Sequence, residues 1–226
     1  MKYRGVVFDY NGVLFWDNEL QERAWKEFSV RLRGVSLSDG EMALQVHGRN
    51  NRHTFEYLVE HPIDGEDLAC FTDGKEDIYR TLCLASGESF KLSPGTVELL
   101  DLIAVKGVPR AIATAMERSN IDFFIKHFGL LKWFEDSKIV YDDGSHPGKP
   151  APDIYLKACH RLGLPPSACV VVEDSLSGLA SANAAGVGCL IALGPKSRHE
   201  ALLKLPGVSF AVESLAQIDA AALFAC

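Results

Sequence analysis

Hydrophobic residues run without interruption through Gly5-Val6-Val7-Phe8 and stop at Asp9, with Gly12 three residues further on. A short, continuous Val/Phe run with no alternation is the pattern of a strand buried on both faces of a parallel sheet. It predicts a strand over residues 3–8 with Asp9 at its carboxyl end, where open α/β sheets place their ligands. After Leu14 the period changes. Leu20, Ala24 and Phe28 recur at spacing four, which predicts a helix over about 17–33. Ser38-Asp39-Gly40-Glu41 reads as a helix start. His47-Gly48-Arg49-Asn50-Asn51 reads as a polar break, and about 52–60 and 66–86 as two more helices. Nothing between 15 and 88 has the pattern of a buried strand.

Leu92-Ser93-Pro94-Gly95 marks a boundary, after which strand and helix alternate. Strands are predicted at 109–114, 138–141, 168–174, 188–192 and 208–211. Helices are predicted at about 95–106, 118–128, 153–162 and 177–185, and a short helix closes the chain. This rhythm implies an α/β fold: a Rossmann-like parallel sheet with right-handed crossovers and helices on both faces. The predicted domains are an α/β core of residues 1–14 and 90–226, and a small all-helical cap of 15–89 inserted after the first strand.

Composition narrows the picture. The 226 residues are 47% hydrophobic and 23% charged, enough for a core with a small insert. A net charge of -7 supplies no global basic footprint for nucleic acid or an anionic membrane. No apolar run approaches the roughly 20 residues of a membrane span, and the N-terminus does not read as a signal peptide. The six cysteines, Cys70, Cys83, Cys159, Cys169, Cys189 and Cys226, are scattered without a Cys-x-x-Cys pair. Reduced thiols in a cytoplasmic protein are the simplest reading.

The candidate chemistry sits at the predicted strand ends: Asp9, Thr114, and the pair Glu173-Asp174, with Lys149 in the loop before the helix at 153. Singly, each has a plain reading as a capping residue or a loop charge. In one parallel sheet, all of them project to one edge. Three carboxylates suit a hard divalent cation, above all Mg²⁺. A metal, a lysine and a hydroxyl suit a phosphoryl group, and a carboxylate can itself attack phosphorus.

Four stretches now carry a resemblance: Phe8-Asp9-Tyr10-Asn11-Gly12-Val13-Leu14, Ile112-Ala113-Thr114-Ala115, Gly148-Lys149-Pro150-Ala151-Pro152-Asp153-Ile154-Tyr155, and Val172-Glu173-Asp174-Ser175-Leu176-Ser177-Gly178. Together they resemble the haloacid dehalogenase (HAD) superfamily, in the helical-cap branch of the β-phosphoglucomutases and phosphoglycolate phosphatases, over essentially the whole chain. The resemblance implies a nucleophile and Mg²⁺ ligand in Asp9, a metal-binding backbone carbonyl at Asn11, and metal binding by Asp174 with Glu173 beside it. It implies phosphate binding by Thr114 and the Ala115 amide, and charge neutralisation by Lys149. In the cap it implies a substrate loop at His47-Gly48-Arg49, with Arg49 and Lys75 as cations for the substrate. Solvated surface charges are the plain alternative for those two. Trp25 reads as cap core.

The departure is Asn11, where the family carries a second Asp as general acid and base. An amide does neither. Three readings stay open: a slow phosphatase, a proton supplied by another group such as Asp17, or an engineered replacement of Asp that holds a trapped state. Dehalogenases dispense with that Asp but also with the metal, and Glu173-Asp174 is intact. Phosphonoacetaldehyde hydrolases need a cap lysine, and no lysine lies between Lys26 and Lys75. Gln21 stands where β-phosphoglucomutases carry a His, which favours hydrolysis over mutase chemistry. The expectation is a Mg²⁺-dependent phosphatase of a small phosphorylated metabolite, such as a sugar phosphate, working through an aspartyl-phosphate. The alternative is a catalytically weak phosphate-binding or regulatory protein. Expected partners are the small substrate alone, without nucleic acid or membrane, on a monomer or weak dimer.

Overall fold

The computed structural model describes residues 3–224, so Cys226 lies outside the described residues. In chain order, β1 (Gly5–Phe8) leads to α1 (Asn18–Arg33), α2 (Asp39–Glu41), α3 (Asn51–Val59), α4 (Gly65–Ala85) and α5 (Thr96–Val105). Then follow β2 (Arg110–Ala113), α6 (Arg118–Phe128), β3 (Ile139–Val140), α7 (Asp153–Arg161), β4 (Cys169–Glu173) and α8 (Leu176–Ala184). The chain closes with β5 (Cys189–Leu193), α9 (His199–Leu202), β6 (Val208–Val212) and α10 (Ala220–Leu223). It forms two compact units, Met1–Trp16 with Leu92–Cys226, and Asp17–Lys91.

The first unit is a parallel sheet in the order β3-β2-β1-β4-β5-β6. Successive residues of a strand face opposite sides. Val7 and Val171 therefore meet Tyr155, Ala158, Leu179 and Ala182 of α7 and α8 on one face. Val6, Phe8, Val170 and Val172 meet Leu99 and Ile103 of α5 on the other. Both faces are covered, which is why the strand residues read as unbroken apolar runs. The chain leaves β1 toward β2 on one side and returns to β4 on the other. That makes the carboxyl end of β1 the switch point where such sheets open a crevice.

The second unit is all helical. Trp25 and Phe28 of α1 pack on Phe55 of α3 at ring separations of 5.0 and 5.6 Å, and Phe71 of α4 joins at 5.6 Å. Its helix ends are set by local chemistry. Ser38 and Glu41 form a capping box, Asn50 accepts from the His53 amide, and the Asp64 carboxylate accepts from the amides of Glu66 and Asp67.

Strands and longer helices begin and end within about two residues of the positions predicted from periodicity. The differences are short-range. The helix that starts at Ser38 makes one α turn and then widens into a π-helix over Met42–Val46, with the His47 amide bonded to the Met42 carbonyl. That widening keeps both Met42 and Val46 in the aromatic core. Helix α9 is four residues long, too short for a periodic signal. Among the described residues, no helix is long and apolar enough to cross a membrane.

Phe55 is completely buried at the centre of the aromatic cluster. Phe55→Ala is expected to destabilise the helical unit by about 3–5 kcal/mol through lost burial and the cavity left behind. Urea denaturation followed by tryptophan fluorescence, for which Trp25 is the local reporter, checks this.

Candidate active site

Three neighbouring strand ends assemble the site. Phe8 is in register with Ile112 of β2 and Val172 of β4. One step on, Asp9 and Glu173 stand side by side across strands spaced about 4.8 Å apart, and Thr114 follows the end of β2. The Asp9 amide is held by the Val172 carbonyl at 3.0 Å, and the Thr114 amide by the Val140 carbonyl at 3.0 Å.

After Asp9 the chain folds into a tight turn. The Tyr10 carbonyl accepts from the amides of Val13, Leu14 and Phe15, and Gly12 N–H donates to the Phe15 carbonyl at 2.8 Å. Gly12 has φ +75°, and a Cβ there would stand 2.1 Å from Asp174 Oδ2. Glycine at this position lets the carboxylate of Asp174 come against the backbone that carries Asn11. The turn is clamped from the far side of the insertion: Ser93 N–H donates to the Leu14 carbonyl at 2.9 Å, and Ser93 Oγ donates to the Val13 carbonyl. Ser93 lies in the boundary stretch Leu92-Ser93-Pro94-Gly95, and its clamping bonds exist only in the folded chain.

Lys149 is the hub. Only 3% exposed, its ammonium donates to Asp9 Oδ1 at 2.7 Å and to Glu173 Oε1 at 2.6 Å. Burial opposes the lysine's charge, but the two carboxylates override it and hold its pKa well above the ordinary lysine range. Asp9 feels burial most. Desolvation pushes its pKa up to about 7, Glu173 adds to the rise, and Lys149 pulls against it. The Lys149–Pro150 peptide is cis.

Asp9, Glu173 and Asp174 bring one carboxylate oxygen each within 4.8 Å of one another. An all-oxygen donor set with two buried acids fits a hard divalent ion such as Mg²⁺. Thr114 is fully buried, and its Oγ accepts from the Met116 amide at 3.3 Å. Ala115 is half-buried in the same loop. Two residues outside the predicted set touch the centre. Tyr155 donates its hydroxyl to Glu173 Oε1, and Ser175 donates its amide and hydroxyl to Glu173 Oε2. Both lie inside the motif stretches, but their spacing alone carried no signal of contact.

In the helical unit, Gly48 takes φ +68°, in keeping with a tight loop, and Arg49 is half-buried there. Lys75 is not a solvated charge. It is 2% exposed, donates to Gln21 Oε1 at 2.8 Å and to Glu76 Oε1 at 3.0 Å, and lies over the Trp25 ring at 4.7 Å. Asn51 donates to the same Glu76 oxygen at 2.8 Å. The Lys75 ammonium is thus committed inside the unit. Asp17, the alternative proton source, is also buried and accepts the Tyr79 hydroxyl.

Removing the hub charge by Lys149→Met leaves two buried carboxylates facing each other. In metal-free protein this is expected to cost about 3–5 kcal/mol of stability, the typical loss when one partner of a buried pair is deleted. Urea denaturation in EDTA measures it, and a loss below about 1 kcal/mol, the scale of an exposed pair, would show that Lys149 is not the hub.

The chain is similar to known proteins. Residues 3–186 match the sequence pattern of the haloacid dehalogenase-like hydrolases. Protein CbbY of Rhodobacter capsulatus is 36% identical over 198 residues, covering 83% of this chain and 84% of that one. Hexitol phosphatase A of Escherichia coli K12 is 29% identical over 218 residues, covering 96% and 94%. The crystal structure of a HAD hydrolase of family IA, variant 3, from Entamoeba histolytica superposes with a TM-score of 0.85 at 35% identity, covering 97% of each chain. Three longer relatives from Arabidopsis thaliana are matched over 20%, 48% and 41% of their lengths. The nucleophile-type loop, the lysine hub and the acidic pair thus stand in a chain that belongs to the haloacid dehalogenase-like hydrolases.

Proposed function

We propose that this hydrolase is a Mg²⁺-dependent phosphatase of a small phosphorylated metabolite, a sugar or polyol phosphate. The observation that carries the reading is the buried Lys149 ammonium bonded to both Asp9 and Glu173. A phosphate dianion approaching a lone carboxylate is repelled. The lysine charge lowers that repulsion, so the ionised Asp9 carboxylate attacks phosphorus, forming an aspartyl-phosphate as the P–O bond to the substrate breaks, and the leaving oxygen takes its proton from water. The naming of relatives for hexitol phosphate, fructose 1-phosphate and phosphorylated carbohydrates supports the substrate class.

The residues fit the cation in the donor set described above. Asp9, Asp174 and the backbone carbonyl of Asn11 would hold Mg²⁺, with Glu173 beside them. When bound, the ion supplies positive charge against the phosphoryl oxygens. Thr114 and the Ala115 amide orient those oxygens. Arg49 and Gly48 of the helical unit are assigned to the far end of the substrate. Lys75 is turned onto Gln21 and Glu76 within the helical unit.

Asn11 sets the rate. Its amide neither protonates the leaving oxygen nor activates the water that must cleave the aspartyl-phosphate. Asn11 also favours a second reading, a phosphate-binding protein that has lost turnover. Phosphate release from a panel of sugar and polyol phosphates separates the two, with Asp9→Ala as the blank. Native protein is expected to turn over slowly above the blank, and Asn11→Asp to be faster by about 10²–10⁴-fold, the usual worth of general acid–base catalysis. No release by either protein would overturn the phosphatase reading.

The metal assignment has its own check. Saturating Mg²⁺ is expected to raise the melting temperature of EDTA-treated protein, since a ligand at a hundred times its Kd stabilises by about 2.7 kcal/mol. Asp174→Ala should abolish the rise. A rise that survives in Asp174→Ala places the ion elsewhere.

A further inference from the structure

Tyr155 is unlike the other core aromatics. It is completely buried on α7, yet it carries a hydroxyl into the centre of the site. The hydroxyl lies 3.2 Å from Glu173 Oε1, and the Lys149 ammonium lies 5.2 Å from the centre of its ring. The ring face is within the distance at which a cation is attracted to it. Tyr155 therefore touches both members of the Lys149–Glu173 pair.

The bonding of Glu173 completes the picture. Its Oε1 accepts from Lys149 at 2.6 Å and from Tyr155 at 3.2 Å. Its Oε2 accepts from the Ser175 amide at 2.6 Å and the Ser175 hydroxyl at 3.1 Å. The Ser175 hydroxyl also lies 3.3 Å from Oε1; a carboxylate oxygen offers two lone pairs, so Lys149, Tyr155 and the two Ser175 donors match the four positions of Glu173. Gly178 lies so close that an added Cβ would stand 1.6 Å from Oε1.

We infer that Tyr155 is a positioning residue that, with Ser175, saturates Glu173 and turns it into the anchor of Lys149 rather than a ligand of the metal. The inference rests on the phosphatase reading of the site and assigns its acids different tasks. Asp9 and Asp174 serve the cation. Glu173 is spent on the lysine, and Tyr155 holds both in place through one hydroxyl and one ring face. A hydroxyl bond at the long end of the range fits such a supporting part.

The test titrates Mg²⁺ and then inorganic phosphate into the full chain and its variants by calorimetry. Tyr155→Phe removes the hydroxyl and keeps the ring. It is expected to bind inorganic phosphate on the order of tenfold more weakly, with unchanged Mg²⁺ affinity. Tyr155→Leu, which also removes the ring face, should lose up to about a hundredfold. Glu173→Gln should keep Mg²⁺ binding, while Asp174→Asn loses it. Phosphate binding by Tyr155→Phe at the native level overturns the inference. So does loss of Mg²⁺ and phosphate together in Tyr155→Phe, which would reduce Tyr155 to packing. So does a Glu173→Gln that loses Mg²⁺ as fully as Asp174→Asn. If the native chain binds phosphate in this pattern but hydrolyses no phosphomonoester, catalysis falls and the positioning role stands.

Discussion

A single buried ammonium holds the α/β unit's functional edge together. Lys149 lies between the carboxylates of Asp9 and Glu173, and burial drives Asp9 toward its neutral form. Three ionisable groups packed out of water are a poor way to gain stability. They are tolerated because each is bonded: Asp9 through its amide to β4 and its carboxylate to Lys149, Glu173 on both oxygens. The acids outnumber the lysine in this triad, and a divalent ion can offset them. Stability is spent on holding charge ready where phosphate chemistry needs it.

The fold delivers that arrangement with few special residues. Parallel pairing of β1 with β2 and β4 brings the strand ends level, so Asp9 and Glu173 need only follow their last apolar residues. Gly12 allows Asp174 to close on the turn after β1, and Gly178 allows α8 to close on Glu173. Each is a place where a methyl group would collide with a carboxylate. Ser93 ties the returning chain back to the turn, so the insertion of the helical unit leaves the site's backbone fastened at both strands of the crossing.

The helical unit repeats the device on a smaller scale. Lys75 is buried among Trp25, Tyr79, Glu76 and Gln21, and Asn51 completes Glu76. Because the lysine ammonium only donates, it fixes the Gln21 amide with its oxygen toward Lys75. The aromatic core and this polar chain together hold the helices predicted at about 17–33, 52–60 and 66–86 as a defined body.

Much of this protein is written locally. Apolar runs, a change of period from strand to helix, and capping residues determined the strands, the long helices and the carboxyl edge at which Asp9, Thr114, Lys149 and Glu173-Asp174 gather. Those signals act over a few residues, and the sequence holds them whole. The motif stretches even contained Tyr155 and Ser175. Tertiary structure alone decided what each group does with its atoms. Lys149 meets Asp9 across 140 residues of chain. Glu173 is saturated by a neighbouring turn and a helix from another crossover, and Lys75 is buried rather than solvated. The widening of the helix at Met42–Val46 was settled the same way. The reason is that a hydrogen bond or a buried charge depends on distance and desolvation in three dimensions, and sheet register and packing set these, whereas periodicity along the chain records only which face a residue prefers.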